Sequence, residues 1–322
     1  MRIFIQSPNI NSRHGGIRVI NEWANRLGAF GHRVVLYNQA GAVRCDWMNI
    51  NCKIVNSLEL LAKSDLLIVT SPHGSFLLNK DLPHKKVVFL QMMEHLFNVN
   101  NKKLFTNTLA LYTAKCPLIS ISQWNIRQLQ NKFQRTGITK YVGNGVNLDD
   151  FPISKRPKDG KIILLESPEP TNFCKDVDKI AVKVAMRLKN EGYIIKGFGI
   201  KPTNDSIYDE YIINPDLGTM NRLYEEATIM VKATRYDARS TAPLEAMTKG
   251  TVTVRGIIEG DDDLNASNSF KTAYNYDKVY ESAKYALENK EEREKRAKAG
   301  LEYVQTYTWD YWMNQINQIL IA

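Results

Sequence analysis

The sequence predicts an α/β protein made of two doubly wound halves. Three observations predict it. Strand-length apolar runs alternate with helix-length amphipathic stretches; the alternation breaks at a passage rich in Pro and charge near residue 152 and then restarts; and no apolar run is long enough for a transmembrane helix. At 322 residues the chain can build two domains, each with its own core.

The first half opens with a strand over residues 2–6, a loop over 7–16, and a helix over 17–29 that carries Ile17, Ile20, Trp23, Ala24 and Leu27 on one face. Gly31 and His32 turn the chain into a second strand over 33–37. Further strands are expected at 53–55, 66–70, 86–90 and 118–121, with helical stretches at 58–63, 103–115 and 123–133 between them. Strands separated by helices argue for parallel pairing.

The second half repeats the pattern. Strands are expected at 161–165, 193–198, 211–213, near 229–232 and at 251–254, with helices at 176–189, 220–227, 276–289, 291–304 and 309–320. In the last of these Trp309, Trp312, Ile316 and Ile319 recur at helical spacing. The domain boundary falls at residues 152/153, giving domains over 1–152 and 153–322.

The net charge of +9 is concentrated in one half. Residues 1–150 carry 18 Lys/Arg against 8 Asp/Glu, which leaves 25 against 26 for the rest. A field of one sign over one domain draws in polyanions such as nucleic acid, an anionic membrane surface or an acidic glycan. Four cysteines, Cys45, Cys52, Cys116 and Cys174, have no CxxC spacing, so reduced structural thiols are expected and a zinc site is not. Met1 runs directly into the first strand, so no signal peptide is expected and a cytoplasmic location is, with attachment to membrane or DNA left open.

Two loops carry chemistry. Ser12-Arg13-His14-Gly15-Gly16 follows the first strand, where paired glycines let a ligand approach the backbone; the lack of GxGxxG disfavours a nicotinamide dehydrogenase. The stretch YDARSTAPLEAMTKGTVTVRG, residues 236–256, reads as strand end, polar loop, helix with Pro243 in its first turn, Gly250 as terminator, and a β-branched strand. Its free backbone donors suit a phosphate, and Asp237 and Glu245 suit sugar hydroxyls. Asp261-Asp262-Asp263 is read as a surface turn and not as a metal-binding DxD.

Asp237, Glu245 within APLEAM, and Lys249-Gly250 resemble the donor-site signature of the family-four retaining glycosyltransferases, which reads EGFGLPPLEAMACG. This chain departs from it with Asp237 for the first Glu and Arg239-Ser240 for Phe-Gly. The stretch GGIRVINEWANRLGAFGHRVVLY, from Gly15 on, is similar to the opening of the same family, and YVGNGVNLD, residues 141–149, to its interdomain passage IPNGVD. Gly143 and Gly145 are expected to take the unusual backbone angles of a crossing.

The resemblance implies the GT-B fold, two Rossmann-like domains facing a central cleft, with the helix at about 309–320 crossing back to the first domain. It implies a nucleotide-diphosphate sugar as co-substrate, no metal, and transfer of a hexosyl or pentosyl group to a hydroxyl with retention of configuration. Asp237, Lys175 and His73 become the catalytic candidates. Gly15, Gly16, Arg239, Ser240, Thr241 and Glu245 become the donor-binding ones, and His14, Glu94 and His95 lie on the acceptor side. Ser167 stands where the family places an Arg that faces the diphosphate.

The acceptor stays open between a modified base of duplex DNA, a lipid-linked or cell-surface glycan at an anionic membrane, and a small soluble molecule. No obligate protein partner is indicated. The competing reading is a non-catalytic binder of sugar nucleotides or polyanions on the same scaffold, suggested by Ser167 and Asp237.

Overall fold

The structure, a computed structural model, describes residues 1–82, 85–154, 156, 158, 160–166, 176–202 and 206–321. It comprises two compact units, Met1–Asn144 with Trp312–Ala322, and Gly145–Tyr311. Each is a wholly parallel sheet flanked by helices.

The first unit contains β1 (Arg2–Ser7), α1 (Gly15–Ala29), β2 (Arg33–Asn38), β3 (Lys53–Val55), β4 (Leu66–Val69), β5 (Lys85–Leu90), α2 (Lys102–Thr113), β6 (Leu118–Ser120), α3 (Gln123–Phe133) and β7 (Thr139–Tyr141). The strand order is β3-β2-β1-β4-β5-β6-β7. The direction of winding reverses between β1 and β4, the place where open parallel sheets gather ligands at their carboxyl ends. The apolar face of α1 closes the core, with the Trp23 ring stacked 3.9 Å from that of Phe89. Short 3₁₀ helices, Pro72–Asn79 and Glu94–Leu96, follow β4 and β5.

The second unit contains β8 (Ile162–Glu166), α4 (Ile180–Asn190), β9 (Ile194–Gly199), β10 (Glu210–Ile213), α5 (Leu217–Glu226), β11 (Ile229–Asp237), α6 (Thr241–Met247), β12 (Val252–Gly260), β13 (Ser269–Ala273), α7 (Tyr276–Glu288) and α8 (Lys290–Thr306). Its order is β10-β9-β8-β11-β12-β13, so the reversal lies between β8 and β11. Alternate residues of each strand serve opposite faces. Ile163, Leu165, Val231 and Val254 pack with α4 and α7, whereas Leu164 and Met230 pack with Leu223 and Tyr224 of α5 and Leu244 and Met247 of α6. Burial on both faces is why these strands read as unbroken apolar runs.

The last helix, α9 (Trp309–Ile321), belongs to the first unit from Trp312 on. There Trp312 meets Tyr141 edge-on at 5.4 Å, and Asn317 Oδ1 lies 2.7 Å from His32 Nε2.

Several elements differ from the sequence expectation for physical reasons. β11 runs on to Asp237 because β12 extends equally far and pairs with it, from Ile229↔Val252 to Asp237↔Gly260. Their junction demands glycine: Gly260 has φ +104, and a Cβ there would collide with the carbonyl oxygen of Asp237. α4 begins at Ile180, not at residue 176, because Asp176 caps it from outside, accepting from the amides of Ile180 at 2.8 Å and Ala181 at 2.7 Å. The helix expected at 58–63 reduces to a 3₁₀ turn, Leu61–Lys63. Gly143 and Gly145 are absent from the residues with positive φ; Gly145 is small because a Cβ would strike the backbone nitrogen of Trp309.

Candidate functional site

The segment from β11 through α6 is organised by buried charge. Asp237 ends β11, and its Oδ2 accepts from Arg255 at 3.0 Å and from the Ser240 hydroxyl. Ser240 is the N-cap residue of α6, yet its side chain makes no cap bond to the helix amides; the hydroxyl is committed to Asp237 instead. The helix forgoes a cap worth about 1 kcal/mol, and the Asp237 carboxylate gains a fixed donor.

Arg255 lies in β12, fully buried at 0% exposure, and its Nε donates to Asp261 at 2.9 Å. One guanidinium thus joins the two carboxylates. Burial pushes the Asp261 carboxyl up to about 6, with Arg255 pulling it down and Asp237 and Asp263 pushing further up. A second buried pair, Arg239 with Asp263, lies alongside, and the Tyr303 hydroxyl accepts from Arg239 at 3.0 Å and donates to Asp263 at 2.7 Å. The run Asp261-Asp262-Asp263 does turn the chain, but it is not a solvated surface turn: only Asp262 is exposed, and the other two hold arginines. Desolvation explains the pairing, since a buried guanidinium needs an anionic partner.

Glu245 lies in the second turn of the short helix α6, and its Oε2 accepts from the Tyr224 hydroxyl of α5 at 3.0 Å. Thr241 opens that helix. Asp237, Arg239, Ser240, Thr241 and Glu245 are thus gathered on one strand-to-helix turn. Arg239 is held by Asp263 and Tyr303 in a buried cluster, not a surface pair. Lys175, Ser167 and Cys174 lie outside the described residues.

In the first unit the other candidates sit at the carboxyl ends of β1, β4 and β5. His14 is the N-cap residue of α1, with Nδ1 against the Ser12 hydroxyl. Gly15 and Gly16 form the first turn, and Gln91 Nε2 donates to the Gly16 carbonyl at 2.9 Å. A Cβ on Gly16 would lie 3.3 Å from Gln91 Oε1, so the small residue lets the loop after β5 approach α1. His73 is exposed on the 3₁₀ helix after β4, its carbonyl accepting from Gln39 Nε2 at 3.0 Å.

His95 packs edge-on against Phe133 at 5.1 Å and meets the Tyr112 hydroxyl at 3.3 Å. Burial, with Lys132 adding, holds it down to about 4, and burial pushes the neighbouring Glu94 carboxyl up to about 7. These shifts act oppositely on stability. As pH falls from about 7 towards 4.5, folded Glu94 takes its proton before the unfolded chain does, so folding gains. As pH falls from 6.5 towards 4, unfolded His95 protonates first, so folding loses. Thermal unfolding against pH is expected to fall more steeply with acid for Glu94→Gln than for the unaltered protein, and less steeply for His95→Gln. Parallel curves for all three would contradict this.

The sequence reading missed Arg255, Lys232, Glu166, Tyr224 and Tyr303. For the two cations the signal was a charge inside an apolar strand, Lys232 within IMVKAT and Arg255 within TVTVRGII, which costs dearly unless paired. Among the described residues no group of three or more His, Cys, Asp or Glu is placed to hold a metal ion, and no helix is long and apolar enough to cross a membrane.

No protein-family model matches the sequence, and a search of curated proteins returns no match. Solved structures do match. Sucrose-phosphate synthase from Thermosynechococcus elongatus is similar with a TM-score of 0.80 at 13% identity, over 99% of this chain and 98% of that one. WaaG, a glycosyltransferase involved in lipopolysaccharide biosynthesis, gives 0.75 at 14% identity over 98% and 99%. HepE from Anabaena, solved with UDP and glucose, gives 0.74 at 11% identity over 99% of both chains. The fold is that of the GT-B glycosyltransferases.

Proposed function

We propose that this chain is a glycosyltransferase that moves a sugar from a nucleotide-diphosphate sugar to a hydroxyl group, holding the donor at the carboxyl ends of β8, β11 and β12. The observation that carries the reading is the β11–α6 turn. It sets Asp237 and Glu245 on one strand-to-helix unit beside the β8/β11 reversal, in a chain with the GT-B fold along its whole length.

Breaking the bond from anomeric carbon to phosphate leaves positive charge on the sugar and negative charge on the departing diphosphate. Asp237, fixed by Arg255 and Ser240, would accept hydrogen bonds from sugar hydroxyls. Glu245, steadied by Tyr224, would accept them from ribose hydroxyls. Lys175 is assigned to the diphosphate on the resemblance alone. Preorganised donors at a leaving group can each contribute about 3–4 kcal/mol.

In this reading the departing phosphate takes the acceptor's proton on the face from which it leaves, so configuration is retained and no metal is needed. HepE was solved with UDP and with UDP-glucose, which makes uridine nucleotides the first to test. The surplus of positive charge in residues 1–150 supports a polyanionic acceptor, with DNA and an anionic glycan or lipid surface as the two classes to compare.

Incubation with a panel of UDP-, GDP- and ADP-sugars is expected to raise the thermal midpoint for one nucleotide class, since a ligand at a hundred times its Kd adds about 2.7 kcal/mol. Slow release of sugar from that donor is expected to persist in EDTA, and anomeric NMR of the product is expected to show retention. Stabilisation by none of the panel sinks the reading. A second reading, a binder without turnover, is favoured by one observation: the Asp237 carboxylate is already engaged by Arg255 and Ser240. Donor binding without any hydrolysis or transfer would select it.

A further inference from the structure

We infer that Lys232 is a cation for the donor's diphosphate and that Glu166 is an internal anion competing with that diphosphate for it; this rests on the donor-site reading above. Val231 pairs with Leu165, so Lys232, the next residue of β11, lies abreast of Glu166, the last residue of β8, and the two form an ion pair. The pair stands at the reversal of winding, where a ligand of such a sheet gathers.

Three features mark the pair as more than structural filler. The Lys232 side chain is 7% exposed, whereas that of Glu166 is 33% exposed, so the anion is the more solvent-facing member of the pair and the cation the more enclosed. The neighbouring Arg255 is committed to Asp237 and Asp261. Finally, Thr234 lies two residues beyond Lys232 on the same side of β11, past the end of β8. It is 2% exposed, and its Oγ1 has no hydrogen-bond partner among the described residues. A buried hydroxyl of this kind calls for an acceptor, and a phosphate oxygen reaching Lys232 would supply one. A diphosphate carries more negative charge than a carboxylate, so the exchange of partners favours it.

The test is calorimetric titration of the full chain with UDP, uridine and pyrophosphate, using Lys232→Met and Glu166→Gln. Lys232→Met is expected to weaken UDP and pyrophosphate by about thirtyfold or more while changing uridine less than about twofold. Glu166→Gln is expected to tighten UDP and pyrophosphate several-fold, because it removes the competing anion. A purely structural ion pair predicts weaker binding in both variants, and that result, or unchanged UDP affinity in both, overturns the inference. Should Lys232→Met fail to fold, Glu166→Gln still decides: tighter pyrophosphate binding supports the inference, and equal or weaker binding overturns it. If the unaltered chain binds neither UDP nor any other nucleotide, the donor-site reading itself falls and takes this inference with it.

Discussion

Replacing Arg255 with Met is expected to lower the unfolding free energy by about 3–5 kcal/mol, because two buried carboxylates lose the guanidinium that compensates them. For a unit of this size each kcal/mol moves the thermal midpoint by roughly 2–4 °C, so a fall of roughly 6–20 °C should be seen in calorimetry. Two controls separate charge from packing. Adding Asp237→Asn and Asp261→Asn should recover much of the loss, since neutral amides are far cheaper to bury unpaired than carboxylates. The deficit should also shrink as pH is lowered from 8 to about 5, because Asp261 already titrates near 6 with its arginine in place and can take a proton instead of a counter-charge. A deficit under about 1 kcal/mol, or one that ignores pH, would mean the triad is not what holds this turn.

The second large effect concerns the two acids, which the proposed mechanism assigns to different parts of the donor. Asp237→Asn should lower kcat/KM by roughly 10- to 150-fold, the equivalent of about 1.5–3 kcal/mol for a hydrogen bond to a charged group. It should leave UDP affinity nearly unchanged, since its partner is the sugar. Glu245→Gln should instead weaken both UDP and uridine by a similar factor, since its partner is the ribose. Kinetics with a donor sugar and titration with UDP together read out the division. Equal losses of UDP affinity in both variants would contradict the assignment.

Much of this architecture was legible in the sequence because parallel strands covered on both faces are apolar throughout and stand out between amphipathic helices. Ile162–Glu166, Lys85–Leu90 and Ile194–Gly199 lie within a residue or so of their expected bounds. Two short strands were not legible: Thr139–Tyr141 and Ser269–Ala273 are three and five residues of mixed polarity, defined by the neighbour they pair with and not by their own pattern.

The site divides in the same way. Asp237 and Glu245 could be picked out because motif and turn chemistry are local. Arg255, which fixes Asp237 from 18 residues away, and Tyr224, which meets Glu245 from 21, could not, since only the tertiary pairing brings them there. Residues 262 and 263 do turn, but the solvation expected of the run fails for this reason: three acids in a row look solvated until the arginines at 239 and 255 are seen to be buried beside them.

Hydrogen–deuterium exchange of the full chain with and without a saturating nucleotide sugar reads out whether the β11–α6 turn holds the donor. Slowed exchange is expected in the peptides spanning the end of β11 through α6 and the Tyr224 end of α5, with the strongest protection on the backbone from Asp237 to Glu245. Protection confined to other segments, or none with any donor of the panel, would contradict it.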